Sequence, residues 1–146
     1  MNLGSQSRTA LFEFLLRLGD DRLVLGHRLS EWCGHAPVLE EDIALTNIAL
    51  DEIGQASAFL HLAGEVEAKH RTEDDLAYFR EATHFRNVQL VELPNGDFAF
   101  TVTRQFLFDT YDYLLLDELQ KSSYVHLAWI AAKGFKEATY HLRHSK

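Results

Sequence analysis

Apolar positions along this chain recur at steps of three, four and seven, and that spacing predicts four long helices. Leu11, Leu15, Leu18, Leu25, Leu29 and Trp32 mark one face of the first, with Ser7 as candidate cap and Gly34 with Pro37 ending it. Gly19 and Gly26 inside it cost helix propensity, which implies a close helix contact or a local break. A second helix starts after Pro37, and Glu40, Glu41 and Asp42 in its first turn complement the helix dipole. Its stripe runs through Leu45, Ile48, Glu52, Ala56, Phe59, Leu60 and Ala63 and stops at Gly64. A charged stretch from Glu65 to Arg71 leads to a short helix over Glu73 to Glu81. His84 to Asp97 is less regular, with a turn at Pro94-Asn95-Gly96, and reads as a loop packed on the bundle by Phe85 and Leu90. A third helix begins near Asp97, with Phe98, Val102, Phe106, Asp109, Tyr113 and Leu116 on its inner face. After Ser122-Ser123 a fourth runs from Tyr124 to Arg143, apolar almost all round between Leu127 and Phe135.

The sum is an all-α antiparallel bundle, one domain over residues 1–146, with a long connection between its second and third principal helices. With 47% apolar residues the chain can build a sizeable core, and a formal charge of −8 excludes sequence-independent nucleic-acid binding. No apolar run approaches the roughly 20 residues that cross a bilayer, so no membrane partner is expected. Met1 to Ala10 lacks the apolar segment of a secretion signal, and the lone Cys33 excludes an internal disulfide framework. Both suit the cytoplasm. Cys33 itself reads as a small buried residue.

Glu52 changes the picture, because a carboxyl on an inner stripe is costly unless paired or bound to metal. Di-iron bundles supply that metal with Glu and a His three residues later. Here the residue three after Glu52 is Gln55, and the residue three after Glu137 is Tyr140, with His141 one later. Asp20 or Asp21, Asp109 and Glu137 are the other acids at suitable depth. A metal set of Glu52, Asp109, Glu137 and His141 is therefore one alternative. The other is a pair of buried acids answered by Arg28, Arg104 or tyrosine hydroxyls, with Arg104 and Asp109 as a buried pair and His141, Arg143 and His144 as cations at a helix C-terminus. Two literal Glu-x-x-His matches, Glu67 to His70 and Glu81 to His84, compare with roughly 0.7 expected by chance and fall outside the principal helices. Glycines are scattered singly, so no phosphate loop exists, Ser30 and Ser57 lack a nucleophile elbow, and adjacency alone does not make Cys33 and His35 a dyad. No catalytic residue is assigned. Phe98, Phe100, Phe106, Phe108, Tyr111 and Tyr113 face more than one side of the third helix, as a partner interface would require.

Two longer stretches carry a resemblance. Ser30-Glu-Trp-Cys-Gly-His-Ala-Pro-Val-Leu-Glu-Glu-Asp-Ile-Ala-Leu-Thr-Asn-Ile-Ala-Leu-Asp-Glu-Ile-Gly-Gln-Ala56 and Glu92-Leu-Pro-Asn-Gly-Asp-Phe-Ala-Phe-Thr-Val-Thr-Arg-Gln-Phe-Leu-Phe-Asp109 closely resemble the PaaC family, one of the component families of the phenylacetyl-CoA ring 1,2-epoxidase. Leu18-Gly-Asp-Asp21, Asp74-Asp-Leu-Ala-Tyr-Phe-Arg80 and the segment from Lys136 to Ser145 resemble it in the same order. The resemblance implies a ferritin-like fold and a non-catalytic structural subunit of a multicomponent monooxygenase of phenylacetate catabolism. It implies a partner, the catalytic di-iron subunit, with O2, reducing equivalents and phenylacetyl-CoA handled by the complex and no cofactor bound by this chain. Gln55 and Tyr140, where His would stand, agree with that role. Family members continue past the equivalent of Ser145, so the resemblance also implies a C-terminally truncated bundle with an exposed apolar face; a metalloenzyme in its own right and a bundle that associates with itself are the alternatives to the structural subunit. Trp32, Phe98, Phe106 and Tyr113 are the residues expected to serve assembly and core.

Overall fold

The computed structural model describes residues 3–146, leaving Met1 and Asn2 of the expected domain outside the described residues. All regular structure in them is helical: α1 (Ser5–Ser30), α2 (Leu39–Glu67), α3 (Glu73–Tyr78), α4 (Gln89–Glu92), α5 (Phe98–Leu119) and α6 (Val125–Ser145). No helix among the described residues is long and apolar enough to cross a membrane. Short turns join α1 to α2 and α5 to α6, which makes each pair antiparallel. Arg22 meets Asp112 while Trp32 meets Thr101, and His141 meets Asp51 while His144 meets Glu41. Both remaining seams are therefore antiparallel too, and the four long helices form the expected ferritin-like bundle.

The two interior glycines of α1 mark close contact, not breaks. A Cβ on Gly19 would lie 2.7 Å from Leu60, and one on Gly26 2.8 Å from Ile53, so α1 and α2 approach over two glycines that bury their backbone. Gly64 does not end α2 as expected. The helix runs on to Glu67 and is closed by Ala68 in the left-handed conformation (φ 60°). Gly64 instead admits the returning chain, since a Cβ there would sit 2.3 Å from the Arg71 carbonyl oxygen.

The long connection is more structured than its sequence suggests. Thr72 and Asp75 form a capping box on α3, which ends at Tyr78, short of the expected Glu81. A 3-10 turn at Ala82–His84 and the single helical turn α4 follow. Two consecutive buried acids of α1 fasten this segment. Asp20 accepts from two guanidinium nitrogens of Arg80 and from the Arg86 backbone N–H at 2.8 Å, and Asp21 accepts the Val88 N–H at 2.7 Å.

The apolar core has two parts. One gathers Leu15, Leu18, Phe59, Leu60, Leu116 and Ala131, the other Leu25, Leu29, Leu45, Ile48, Val91 and Phe108. Between them lies a polar layer, and it explains the main correction to the expected helix faces. Of the inner stripe predicted for α5, Asp109 and Leu116 are buried, but Phe106 is exposed, and Thr101, Arg104, Gln105, Phe108 and Asp112 take the inner places. Hydrophobic periodicity cannot register a helix whose buried face is half polar. Trp32 and Phe98 do pack edge to face at 5.6 Å, and Tyr113 stacks on Phe135 at 4.9 Å. Cys33, expected to be buried, is exposed in the turn after α1.

Candidate functional site

The polar layer is built in two steps along the bundle axis. Three residues meet in the first: Glu52 of α2, Asp109 of α5 and His141 of α6, all buried, each offering an atom within 4.8 Å of the others. His141 Nδ1 stands 3.4 Å from Glu52 Oε1, and its Nε2 lies 2.9 Å from Asp51 Oδ2 at the bundle edge. Asp109 accepts from Gln105 Nε2 and from Ser145 Oγ, both at 2.6 Å. Neither Glu52 oxygen, nor His141 Nδ1, has a well-aligned hydrogen bond. At this level α1 offers Gly26, where a Cβ would touch the Glu52 Cβ at 3.5 Å, and no acid.

One turn along, the second layer is different. Arg22 of α1 is fully buried, donating through Nε to Gln55 Oε1 at 2.9 Å, through Nη1 to the Leu18 carbonyl at 2.9 Å and through Nη2 to Asp112. Its guanidinium also stacks over Phe59, 4.8 Å from the ring centroid. A fixed positive group thus occupies the middle of this layer, answered by one carboxylate and one amide. On α6 the residue against this layer is Gly134, where a Cβ would lie 3.2 Å from Gln55 Oε1.

The sequence-predicted residues separate accordingly. Glu52, Asp109 and His141 are brought together. Glu137 is not with them: it sits at the α2–α6 edge near Asp51. The inward pair on α6 is Ala138 and His141, three apart, while Tyr140 is exposed, so α6 keeps an inward His and lacks the Glu, the reverse of the His loss expected at Tyr140. Neither arginine expected to answer the buried acids does so. Arg28 pairs with Glu31 and the Glu92 carbonyl, and Arg104 donates to the Leu93 carbonyl and Asn95, because Asp109 lies more than a turn farther along α5 and bonds Gln105 and Ser145 instead. Asp20 and Asp21 hold the connection, Glu67 pairs with Arg71, and His70 and His84 are exposed. Arg22 and Asp112 have no place among the expected residues, although Leu18, Arg22, Leu25 and Leu29 share a stripe and Arg22 interrupts it as Glu52 interrupts its own.

Burial sets the protonation of this layer. It pushes Asp109 up to about 7, against the two hydrogen bonds that hold it down, and it raises Asp112 despite Arg22. Burial alone would lower His141, but the Glu52 carboxylate 3.4 Å away, with the Asp51 hydrogen bond and the Asp109 charge, raises it to about 9. Every one of these shifts means that the folded chain binds protons more tightly than the unfolded one. For His141 the stabilisation is fully present below pH 6.5 and is lost as pH rises through about 9. Denaturant titrations from pH 6.5 to 9 are expected to show stability falling, by on the order of 3 kcal/mol from this group, with His141→Gln flattening the decline. An equal decline in His141→Gln would contradict the assignment.

Residues 2–146 match the family described as phenylacetic acid catabolic protein, PaaA_PaaC. A curated relative, the C component of the 1,2-phenylacetyl-CoA epoxidase of Escherichia coli (strain K12), is 52% identical over 136 residues, covering 93% of this chain and 54% of the relative. The chain thus spans about half the length of the curated relative it matches. With that match over nearly all its residues, this helical chain belongs to the phenylacetic acid catabolic protein family.

Proposed function

We propose that this chain is a non-catalytic structural component of a phenylacetyl-CoA epoxidase, pairing with a di-iron subunit in phenylacetate catabolism. The buried Arg22 guanidinium carries the reading. A two-metal bundle centre needs inward carboxylates from every helix and a His partner on two of them. In the second layer this chain supplies an arginine, a glutamine and a glycine around a single Asp112. A guanidinium repels a metal cation and already neutralises the carboxylate that would bind one, so a di-iron centre does not fit these residues. The epoxidase component to which the chain is 52% identical supports the assembly, and the aromatic and aliphatic side chains exposed on α5 and α6 suit a subunit that meets a partner.

The three-residue layer favours a second reading, in which Glu52, Asp109 and His141 hold one divalent cation. Two carboxyls and an imidazole are a workable donor set, and the unbonded atoms of Glu52 and His141 face it. Metal analysis separates the two. Purified chain loaded with Fe(II), Mn(II) or Zn(II) and then desalted is expected to retain well under about 0.2 metal per chain and to co-purify with a co-expressed di-iron subunit. Retention of about one equivalent, lost in Glu52→Ala, would replace the structural reading with the single-cation one.

A further inference from the structure

Between α2 and α6 runs an open groove of about 360 Å³, walled by Leu50, Asp51 and Gly54 on one side and Trp129, Lys133 and Glu137 on the other. Its two apolar walls are unusually bare, with Leu50 63% and Trp129 68% exposed. At Gly54 an added Cβ would meet nothing within 4 Å, so no side chain fills the α2 wall. Leu39 and Ile43 continue the Leu50 stripe along α2, also exposed. From Leu39 to Leu50 the stripe is about 16 Å long, three helical turns, and only its Leu50 end lies in the groove. Inside the groove Glu137 faces Asp51. The cations beside these acids are His141, bonded to Asp51 from the core side, and Lys133 on the rim.

We infer that this groove seats one helix of the di-iron partner subunit, presenting an arginine or lysine flanked by apolar residues. The inference rests on the pairing proposed above and adds where the pairing happens and which chemistry anchors it. The basic side chain meets Asp51 and Glu137 while its apolar neighbours cover Leu50, Trp129 and the stripe toward Leu39. Exposed tryptophan beside a desolvated charge pair is the usual composition of an interface anchor. A compact small molecule would fill the groove and leave the stripe bare. A second copy of this chain would set acids against acids across the dyad.

Binding of the chain to the purified di-iron subunit tests this. Trp129→Ala and Glu137→Lys are each expected to weaken binding roughly tenfold or more, while Phe79→Ala, exposed on the connection after α3, stays within about twofold of wild type. Far-UV circular dichroism confirms that each variant is folded; Trp129, being exposed, keeps the test informative if Glu137→Lys is not. Wild-type binding with Trp129→Ala unimpaired overturns the groove and leaves the pairing standing. Absence of wild-type binding overturns the pairing and the groove together. A wild-type dimer in sedimentation that Trp129→Ala dissolves overturns the inference in favour of a second copy.

Discussion

Replacing Arg22 with alanine is expected to lower the stability of the bundle by about 3–5 kcal/mol, the range for a buried ion pair deprived of one partner. The loss arises less from the attraction removed than from what is left behind. Asp112 is buried and raised by burial, and without the guanidinium it must protonate or stay charged in an apolar layer. Gln55 Oε1 and the Leu18 carbonyl lose their side-chain donor as well, and the Phe59 ring its cation. For a chain of 146 residues the melting temperature should fall by roughly 10–15 °C. The double variant Arg22→Leu with Asp112→Leu should recover much of this, because an apolar pair of similar volume removes the stranded charge. Thermal denaturation of the single and double variants gives the answer. A single variant within about 1 kcal/mol of wild type would mean that the guanidinium does not hold the layer, and the idea of a metal-excluding centre would fall with it.

Asp20→Ala is expected to have an effect of similar size but different extent, about 3–5 kcal/mol measured globally and larger in its local consequences. One carboxylate receives two nitrogens of Arg80 and the backbone N–H of Arg86, three donors left without an acceptor on truncation. Arg80 is almost wholly buried, its side chain 5% exposed, and its guanidinium lies 4.3 Å from the Phe85 ring centroid. Losing the anchor should free the segment between α3 and α4 while α1 and α2 stay packed. Hydrogen exchange is the direct measurement: amide protection at Arg86 should vanish, and limited proteolysis should cut between Phe79 and Gln89. Asp20→Asn, which keeps an acceptor oxygen, should fall between the two. Unchanged protection at Arg86 in Asp20→Ala would show that the connection is held by its apolar contacts instead.

How much of the molecule is legible in its residues depends on what each position has to do. The four helices and their antiparallel order follow from apolar spacing, because α1 and α2 bury leucines and phenylalanine in the ordinary way. Glu52 stands out as an acid on an apolar stripe, and its neighbours Asp109 and His141 are legible as candidates. Their partners are not. Which cation answers which acid depends on a helix register that a polar-faced α5 conceals. For that reason the residue pattern matches Arg104 to Asp109 and sets Glu137 inward of Ala138, and the structure does neither. Gly64 misleads for a related reason: in sequence a glycine that permits close approach looks the same as one that ends a helix. The fastening of the connection by Asp20 and Asp21 needs partners 60 and 67 residues away, which no local pattern encodes.

The two stacked polar layers also act as a key for alignment. A bundle held only by leucines has many near-equal ways to slide, since one oily turn resembles the next. Sliding α1 by a single turn, about 5.4 Å, would thrust the Arg22 guanidinium among the leucines of one half-core and leave Asp112 with nothing opposite. Moving α6 by the same amount would tear His141 from Asp51 and Glu52 together. Only one mutual setting of the four helices satisfies both layers at once. The Arg22–Asp112 and His141–Asp51 pairs thus act as an alignment key that leucines cannot supply, and they keep the outer faces of the bundle in one fixed arrangement.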